Sequence, residues 1–303
     1  MQQPMAPHKR GVLERATLVA LVGLSVLSVL GVATVTVYLN RLSESTADLP
    51  RARIMSDYAG RPESVIGSNG NPSVNYLIMA SSANGLDAVV VANLSSSGRS
   101  LTLVTIPADV LATSTGSQTL AGGFAMDPAI TVRTMEGLTD ARMDHQILID
   151  LDQFAAVIDA IGGISIGGTQ LTGAQAVALV TQAPDSQAAA LNCGSVIRAS
   201  LVTADDYSNL INPSKLNHMI DTLGQSVVLD STLTNQVIRN TVIDSSVHPV
   251  ETQVWPVKTE PSAKGTLPEE AALNSLRSAL DSPNLADTEQ YQQTAFIPQE
   301  THR

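Results

Sequence analysis

Three short apolar runs follow one another in the first half of the chain, and they limit the possible folds more than any other feature. They span Val74–Ala80, Ala88–Leu94 and Ser100–Ile106, and the first two are nearly continuous in Val, Ile, Leu and Ala. A strand with one wet face alternates apolar and polar residues, whereas a strand covered on both faces does not. The runs therefore predict strands that lie between two covering layers.

Helical and strand patterns alternate along the rest of the chain. Asp127-Pro128 has the N-cap Asp and first-position Pro that begin a helix. Further predicted helices are Asp152–Ile161, Gly173–Val180, Ser195–Ala204, Pro213–Gln225 and Pro268–Leu280, and further predicted strands are Gln146–Leu151, Ile164–Ile166 and Val250–Val257. Strands that alternate with helices form a sheet with helices packed on it, so we expect an α/β sandwich.

An uncharged run of 24 residues, Ala16–Leu39, lies near the N-terminus. As a helix it is long enough to cross a bilayer. Three basic residues and one acidic residue precede it, so the positive-inside bias places residues 1–15 in the cytoplasm. A cleaved signal peptide is the alternative, but its apolar core is only about 7–15 residues long. We expect a transmembrane signal anchor at 16–39, a single-pass protein of the cell membrane, and an extracytoplasmic remainder.

Composition divides the part outside the predicted anchor into three regions. Residues 40–73 are polar and interrupted by Pro and Gly, which predicts a stalk or linker. We expect the folded domain at 74–258, followed by a C-terminal helix and polar tail at 259–303. Beyond residue 39 the chain has 14 basic and 27 acidic residues, a net charge of -13. This balance argues against a nucleic-acid partner, which would require clustered Lys and Arg.

Several residues that can signal catalysis have simpler explanations here. Gly163–Gly167 has the G-x-S-x-G spacing of a hydrolase, but Ser165 lies in a predicted strand and not at a strand-to-helix turn. Cys193 is the only cysteine, and no His lies close to it in sequence, so a buried structural thiol is expected. His145 is expected to be structural, and no His/Cys pair has zinc spacing.

Two carboxylates lie at strand ends. Asp87 comes just before the second apolar run, and Asp109 follows the end of the third. In open α/β sheets ligands bind outside the carboxyl ends of the strands. One or two carboxylates together with substrate phosphates form an ordinary magnesium site. Asp87 and Asp109 are therefore candidate metal ligands.

The order of these segments resembles the LytR–CpsA–Psr family of envelope proteins. Met143–His145, Ile149–Phe154 and Val157–Ile164 are similar to one continuous family segment, and Leu171–Val177 is similar to a family helix start. The strands at Asn75–Met79 and Val254–Pro256, together with Gly122-Gly123 and Ile106–Asp109, also fit. The resemblance covers about residues 74–258 and implies an α-β-α sandwich with a central mixed sheet.

The resemblance also implies a function. Family members are outward-facing phosphotransferases that move a glycopolymer from a polyprenyl-pyrophosphate carrier to peptidoglycan, usually with magnesium. Several arginines grip the pyrophosphate, and aspartates hold the metal. Arginine suits this task because its planar fork makes bidentate, charge-assisted bonds to phosphate oxygens.

This sequence departs from the family where those arginines belong. The corresponding stretches are Ala80–Asn84, Gly85–Ala88, Ala108–Asp109, Thr181–Ala183 and Asn192–Ala199. Of the family's charged residues, they retain Asp87, Asp109 and Arg198, and Arg198 is the one candidate catalytic arginine. Between Tyr76 and Ser200 the chain has four basic and ten acidic residues, a net charge of -6.

The leading hypothesis is a membrane-anchored, catalytically degenerate family member that acts as a binding or scaffold partner in cell-envelope assembly, with no cofactor. Its partners would be a polyprenyl-linked glycopolymer, peptidoglycan or envelope-assembly proteins. The alternative is an active, magnesium-dependent phosphotransferase that uses Asp87, Asp109 and Arg198. A cytoplasmic transcription regulator conflicts with the predicted topology.

Overall fold

The structure is a computed structural model, and it describes residues 49–112, 118–204, 213–234, 251–257, 259–262, 264–283 and 285. Within these ranges no helix is both long enough and apolar enough to cross a bilayer. The predicted membrane helix at 16–39 lies outside the described residues, as do residues 40–48 of the predicted stalk and the polar tail after 285. The membrane anchor therefore stays a prediction.

A mixed seven-stranded sheet forms the centre of the domain. Its strands are β1 (Arg51–Ala52), β2 (Val74–Ser82), β3 (Gly85–Leu94), β4 (Ser100–Pro107), β7 (His145–Asp150), β10 (Val227–Asp230) and β11 (Glu251–Pro256). Their order across the sheet is β1-β10-β7-β2-β3-β4-β11. Three small two-stranded sheets accompany it: β5 (Leu111–Ala112) with β6 (Gln118–Thr119), β8 (Ile164–Ile166) with β9 (Thr169–Leu171), and β12 (Thr259–Ser262) with β13 (Gly265–Pro268).

Helices cover both faces of the sheet. On the face that includes Cys193, called the Cys193 face, lie α3 (Leu151–Ala160), α4 (Gly173–Thr181), α5 (Ser186–Ala204) and α6 (Pro213–Ser226). On the face that includes Met135, called the Met135 face, lie α1 (Leu120–Met126), α2 (Pro128–Thr139) and α7 (Glu270–Leu280). The predicted α-β-α sandwich with a central mixed sheet is therefore confirmed.

The central strands are buried on both faces, as their sequence predicted. Ala88 and Val90 of β3 pack into the core of the Cys193 face, and Val89 and Val91 pack into the core of the Met135 face. Successive side chains of a strand point to opposite faces, so an apolar residue at every position supplies both cores. This arrangement explains why the runs lack the alternation of a half-exposed strand.

Local capping fixes the helix starts that the sequence predicted. Asp127 caps α2 by accepting the N–H of Ala129 at 2.8 Å, with Pro128 at the first helical position. Thr172 and Gln175 form a reciprocal capping box at the start of α4. The least accurate boundary is that of α5, which begins at Ser186 instead of the predicted Ser195. Ser165 lies in β8, so the G-x-S-x-G spacing is not a nucleophile elbow.

The folded domain begins earlier than the predicted linker allows. β1 pairs with β10, placing Arg51 opposite Leu229, and Leu49 and Ile54 are buried in the two cores. Residues 49–73 therefore do not form a stalk. Their Pro and Gly residues suggested a linker, but the few apolar side chains between them are enough to bind the segment to the sandwich.

A buried ion pair also holds this segment in place. Arg61 donates to Glu136 Oε1 at 2.8 Å and to the carbonyl of Met143 at 2.7 Å, and Tyr58 donates to Glu136 Oε2 at 2.9 Å. The Glu136 side chain is fully buried. Burial and the hydrogen bond to Glu136 raise the pKa of Tyr58 to about 12. Removing Glu136 or Arg61 would leave the other as an uncompensated charge in an apolar environment.

The domain also extends past the predicted boundary at 258. The pair of β12 and β13 follows β11, and α7 then packs Leu276, Ala279 and Leu280 into the core of the Met135 face. Leu285 is fully buried in the same core. The sequence predicted the helix, starting at Pro268, but not that it completes one layer of the sandwich.

Candidate functional site

The strand ends define where a ligand of this fold would bind. β2, β4 and β7 finish at the same end of the sheet, because Ser82 pairs with Gly85, Ala88 with Pro107, and Ser81 with Asp150. We call this the carboxyl end, and the other the opposite end. The two predicted metal ligands, Asp87 and Asp109, both lie at the carboxyl end. The sequence therefore placed them correctly relative to the sheet.

A β-bulge determines the direction of Asp87. Ala80 pairs with Ala88 and Ser81 with Leu86, which leaves Asp87 as the extra residue of β3. A bulge interrupts the alternation of side chains and redirects the residue at that point. The charge of Asp87 contributes to the raised pKa of Cys193, so the two side chains are near enough to interact.

The surroundings of Asp87 disfavour its charged form. Burial raises the pKa of this carboxyl, hydrogen bonds from Ser82 lower it, and the nearby Asp152 carboxylate raises it further. The Oδ2 atom is buried and has no hydrogen-bond partner among the described residues. No cation is among the groups that shift this pKa. Asp87 is thus a half-buried carboxylate beside a second carboxylate.

Cys193 behaves as the structural thiol that the sequence predicted. It is buried in α5, and burial together with the charge of Asp87 raises its pKa to about 12. Only the thiolate is a nucleophile or a metal ligand. At neutral pH the side chain therefore remains an unreactive thiol in the core.

Asp109 is already bound by its own chain. The hydroxyl of Thr266 donates to Asp109 Oδ1 at 3.1 Å, and the N–H of Thr266 donates to the Asp109 carbonyl at 3.0 Å. The N–H of Asp109 donates to the hydroxyl of Ser186 at 3.4 Å. One oxygen of this carboxylate therefore accepts a hydrogen bond from β13, and the backbone of Asp109 joins the end of β4 to β13 and α5.

Three further carboxylates lie at the carboxyl end, and the sequence analysis did not select them. Asp150 accepts the N–H groups of Asp152 and Gln153 at the start of α3. Asp185 accepts the N–H of Ala188 at 2.8 Å at the start of α5, and Asp152 Oδ2 accepts the N–H of Ala83 at 3.0 Å. An Asp just before a helical apolar pattern signals an N-cap, and that signal could have located Asp150 and Asp185.

Arg198 does not join the two aspartates. Ser186 contacts Asp109, and Gly194 packs against Thr105, so α5 runs antiparallel to β4. Arg198 comes twelve residues after Ser186, a distance of about 18 Å along a helix axis. Its side chain is exposed. The structure thus brings Asp87 and Asp109 to one end and directs Arg198 away from it.

The other arginines between Tyr76 and Ser200 also lie elsewhere. Arg99 is in the turn between β3 and β4 at the opposite end. Arg142 pairs with Asp144 at 3.5 Å just before β7, and Arg133 stacks over the ring of Tyr58 on the Met135 face. All three lie at a distance from the carboxyl end.

These carboxylates do not fit a ready-made magnesium site. Among the described residues no group of three His, Cys, Asp or Glu side chains is placed to hold a metal ion. One oxygen of Asp109 accepts a hydrogen bond from Thr266, and burial and the neighbouring Asp152 raise the pKa of Asp87. Hard cations require several charged or carbonyl oxygens directed at one point.

Three solved structures share this fold at low sequence identity. The LytR-Csp2A-Psr enzyme from Actinomyces oris has a TM-score of 0.59 at 21% identity, covering 78% of this chain and 97% of that one. TagT from B. subtilis has a TM-score of 0.58 at 13% identity, covering 78% and 99%. The structure of TagT bound to LIIa-WTA has a TM-score of 0.57 at 16% identity, covering 75% and 99%.

No curated protein matches the sequence significantly. Residues 65–176 match the LytR_cpsA_psr family model. This region contains the strands β2, β3, β4 and β7, the helices between them, and both Asp87 and Asp109. Over residues 65–176 the chain therefore matches the LytR–CpsA–Psr family.

Proposed function

We propose that this protein is a membrane-anchored, extracytoplasmic partner in the assembly of cell-wall glycopolymers, and that it binds or scaffolds without transferring them. One observation carries the proposal: the carboxyl end has kept its carboxylates, while its arginines are replaced or directed elsewhere. Asn84, Ala108, Thr181 and Ala183 occupy positions where the family resemblance implies arginine. Arg198 is exposed on α5.

Without these arginines the domain would bind a pyrophosphate more weakly, and no single remaining contact would restore the affinity. Each hydrogen bond to a charged group contributes about 1.5–3 kcal/mol, and about 1.4 kcal/mol corresponds to a tenfold change in affinity. The carboxylates at the same end would in addition repel a polyphosphate. The loss of four or five arginines therefore argues for a domain without ordinary carrier-pyrophosphate chemistry.

A glycopolymer partner is supported by the fold neighbour TagT, which has been solved bound to LIIa-WTA. A binding or scaffolding role would retain contacts to the polymer and dispense with the contacts to the leaving phosphate. Membrane anchoring is supported by the uncharged run at 16–39 and the basic residues before it. Together they support a position of the domain on the outer side of the membrane, where cell-wall polymers are assembled.

An active transferase is the second candidate. It is favoured by Asp87 Oδ2, a buried acceptor with no partner among the described residues. Such atoms are rare because an unpaired buried acceptor is costly. In this alternative, Asp87 and Asp109 would hold magnesium and Arg198 would contact the phosphate after a rearrangement of α5.

The experiment is to titrate a polyprenyl pyrophosphate, with and without magnesium, into the full-length protein in lipid nanodiscs, and to measure binding and release of product. Arg198→Ala is the matched variant, and thermal unfolding shows that both samples are folded. We expect no micromolar binding and no turnover, together with retention of the protein on purified cell-wall polymer. Micromolar binding that Arg198→Ala abolishes would overturn the scaffold role and establish the transferase.

A further inference from the structure

The pair of β12 and β13, called the strap below, crosses the carboxyl end of the sheet next to Asp109. Its two ends are fixed, because Val257 before it and Leu276, Ala279 and Leu280 after it are buried in the core of the Met135 face. None of the strap residues that the structure describes belongs to either core. A two-stranded hairpin without a buried apolar face is marginal on its own. Polar contacts must therefore keep the strap in place.

Two threonine hydroxyls make those contacts. Thr266 Oγ1 donates to Asp109 Oδ1 at 3.1 Å, and Thr259 Oγ1 donates to Gln187 Oε1 at 2.9 Å. The backbone adds the bond from the N–H of Thr266 to the Asp109 carbonyl at 3.0 Å. The strap is thus attached to the segment just after β4, where Thr266 also forms a β-bridge with Val110, and to the first turn of α5.

Close packing shows that the strap is fitted to Asp109. The backbone of Gly265 has φ +154, and a Cβ at this position would collide with the Asp109 carbonyl and approach Thr119 Cγ2 at 3.2 Å. Only glycine permits this approach. The strap consequently covers the Asp109 corner of the end at which ligands of open α/β sheets bind.

We propose that the strap is a detachable cover of the carboxyl end, and that Asp109 is its latch. With the strap closed, the Asp109 carboxylate is an internal acceptor. With the strap released, it becomes a free carboxylate at the ligand edge. Elements that move in proteins come from the least buried parts of the fold, and none of the described strap residues belongs to either core. The proposal holds whether or not the domain binds a carrier lipid.

The first test is amide hydrogen exchange of the full-length protein. Thr266→Val keeps the shape of the side chain and removes the hydroxyl donor, and Thr259→Val does the same at the second contact. We expect the amide of residue 266 to exchange before global unfolding, and at least about tenfold faster in Thr266→Val. Glu260→Gln, an exposed change in β12, is the matched control and should leave the rate unchanged.

The second test asks whether release frees the carboxylate, with Mn²⁺ alone as the probe. We expect no paramagnetic broadening at residues 108–110 in the native chain, clear broadening in Thr266→Val, and its loss in the Thr266→Val, Asp109→Asn double variant. Broadening in the native chain, or none in Thr266→Val, contradicts the latch. Exchange at residue 266 that occurs only by global unfolding in all variants contradicts the detachable cover.

Discussion

The carboxylates at the two ends of the central sheet have different kinds of partner. At the opposite end, carboxylates face basic side chains: Glu136 pairs with Arg61, Asp144 with Arg142, and Asp230 lies 3.5 Å from the ring of His145. At the carboxyl end, Asp109, Asp150, Asp152 and Asp185 accept hydrogen bonds from backbone N–H groups or hydroxyls. There, Asp87 lies beside another carboxylate.

The charged groups that stabilise the fold are therefore different from those that would bind a ligand. At the opposite end, the pair of Arg61 and Glu136 attaches the N-terminal segment to the sandwich, and Asp230 attaches β10 by accepting hydrogen bonds. At the carboxyl end, the described carboxylates mostly cap helices and turns. The charged groups that stabilise the fold therefore lie away from the end at which we propose that the phosphate contacts are lost.

The largest effect is expected from breaking the buried pair at the opposite end. Glu136→Ala leaves Arg61 without its partner, and breaking a buried pair costs about 3–5 kcal/mol. The change should also bring the pKa of Tyr58 down from about 12, since Glu136 raises it. Chemical denaturation and the pH titration of tyrosine absorbance measure the two effects.

Asp57→Ala is the control for this pair, because Asp57 also contacts Arg61 but has a side chain that is 74% exposed. It should change stability by no more than about 0.5 kcal/mol. Equal losses for Asp57→Ala and Glu136→Ala would show that burial does not govern the strength of these pairs.

Asp230 should show the pH dependence of a carboxylate stabilised in its charged form. Burial alone would raise its pKa, but hydrogen bonds from His145, Thr232 and Gln146 outweigh it, and the pKa is lowered. Its contribution is therefore present above the ordinary Asp pKa of about 3.9 and is lost as the pH falls through the lowered value. Asp230→Asn should cost about 1–3 kcal/mol at neutral pH. The free energies of unfolding of the native chain and of Asp230→Asn, measured by denaturation, should differ at neutral pH and converge in acid. A difference that stays constant with pH would refute the assignment.

A substitution at Gly194 tests how closely α5 packs against β4. A Cβ at Gly194 would collide with Thr105 Cγ2 and lie 3.0 Å from Val254 Cγ1. Gly194→Ala should therefore destabilise the fold by about 1–3 kcal/mol through overpacking. Gly224→Ala is the matched helix substitution, since its Cβ meets only Leu49 Cδ2 at an ordinary 3.6 Å. It should stabilise by up to about 1 kcal/mol, and a loss at both positions would contradict the close approach of α5 to β4.

The smallest effect is expected at Asp87, with a sign opposite to that of Asp230. The raised pKa of Asp87 means that its charged form destabilises the fold above that pKa, and that the penalty disappears as the pH falls towards the ordinary value. Asp87→Asn should therefore raise the midpoint of thermal unfolding slightly at neutral pH and have no effect in acid. A clear loss of stability at neutral pH would indicate a cation next to Asp87.

Much of the fold could be predicted because its strongest signals are local. The unbroken apolar runs identified β2, β3 and β4, and Asp127-Pro128 identified the start of α2. β1 could not be predicted, since its two residues, Arg51 and Ala52, form a strand only because β10 lies beside them. The strap was missed for the same reason, as its strands are held by Asp109 and Gln187, which are distant in sequence.

The candidate site could be predicted only in part. Strand order was enough to place Asp87 and Asp109 at one end of the sheet. The bulge that redirects Asp87 depends on how β2 and β3 pair, and the bond between Asp109 and Thr266 spans 157 residues. Neither leaves a local signal in the sequence.

The most direct test of the account is to return positive charge to the carboxyl end. The variant Asn84→Arg, Thr181→Arg, Ala183→Arg places three arginines there at positions that are not buried. A control variant places three arginines at the opposite end, at the exposed positions Ser68, Asn71 and Ser97. The measurement is the affinity of the full-length chain for a polyprenyl pyrophosphate. If lost charge disabled the site, the first variant should bind at least about a hundredfold more tightly than the native chain, and the control should not. Tight binding by the native chain, or equal gains in both variants, would contradict the account.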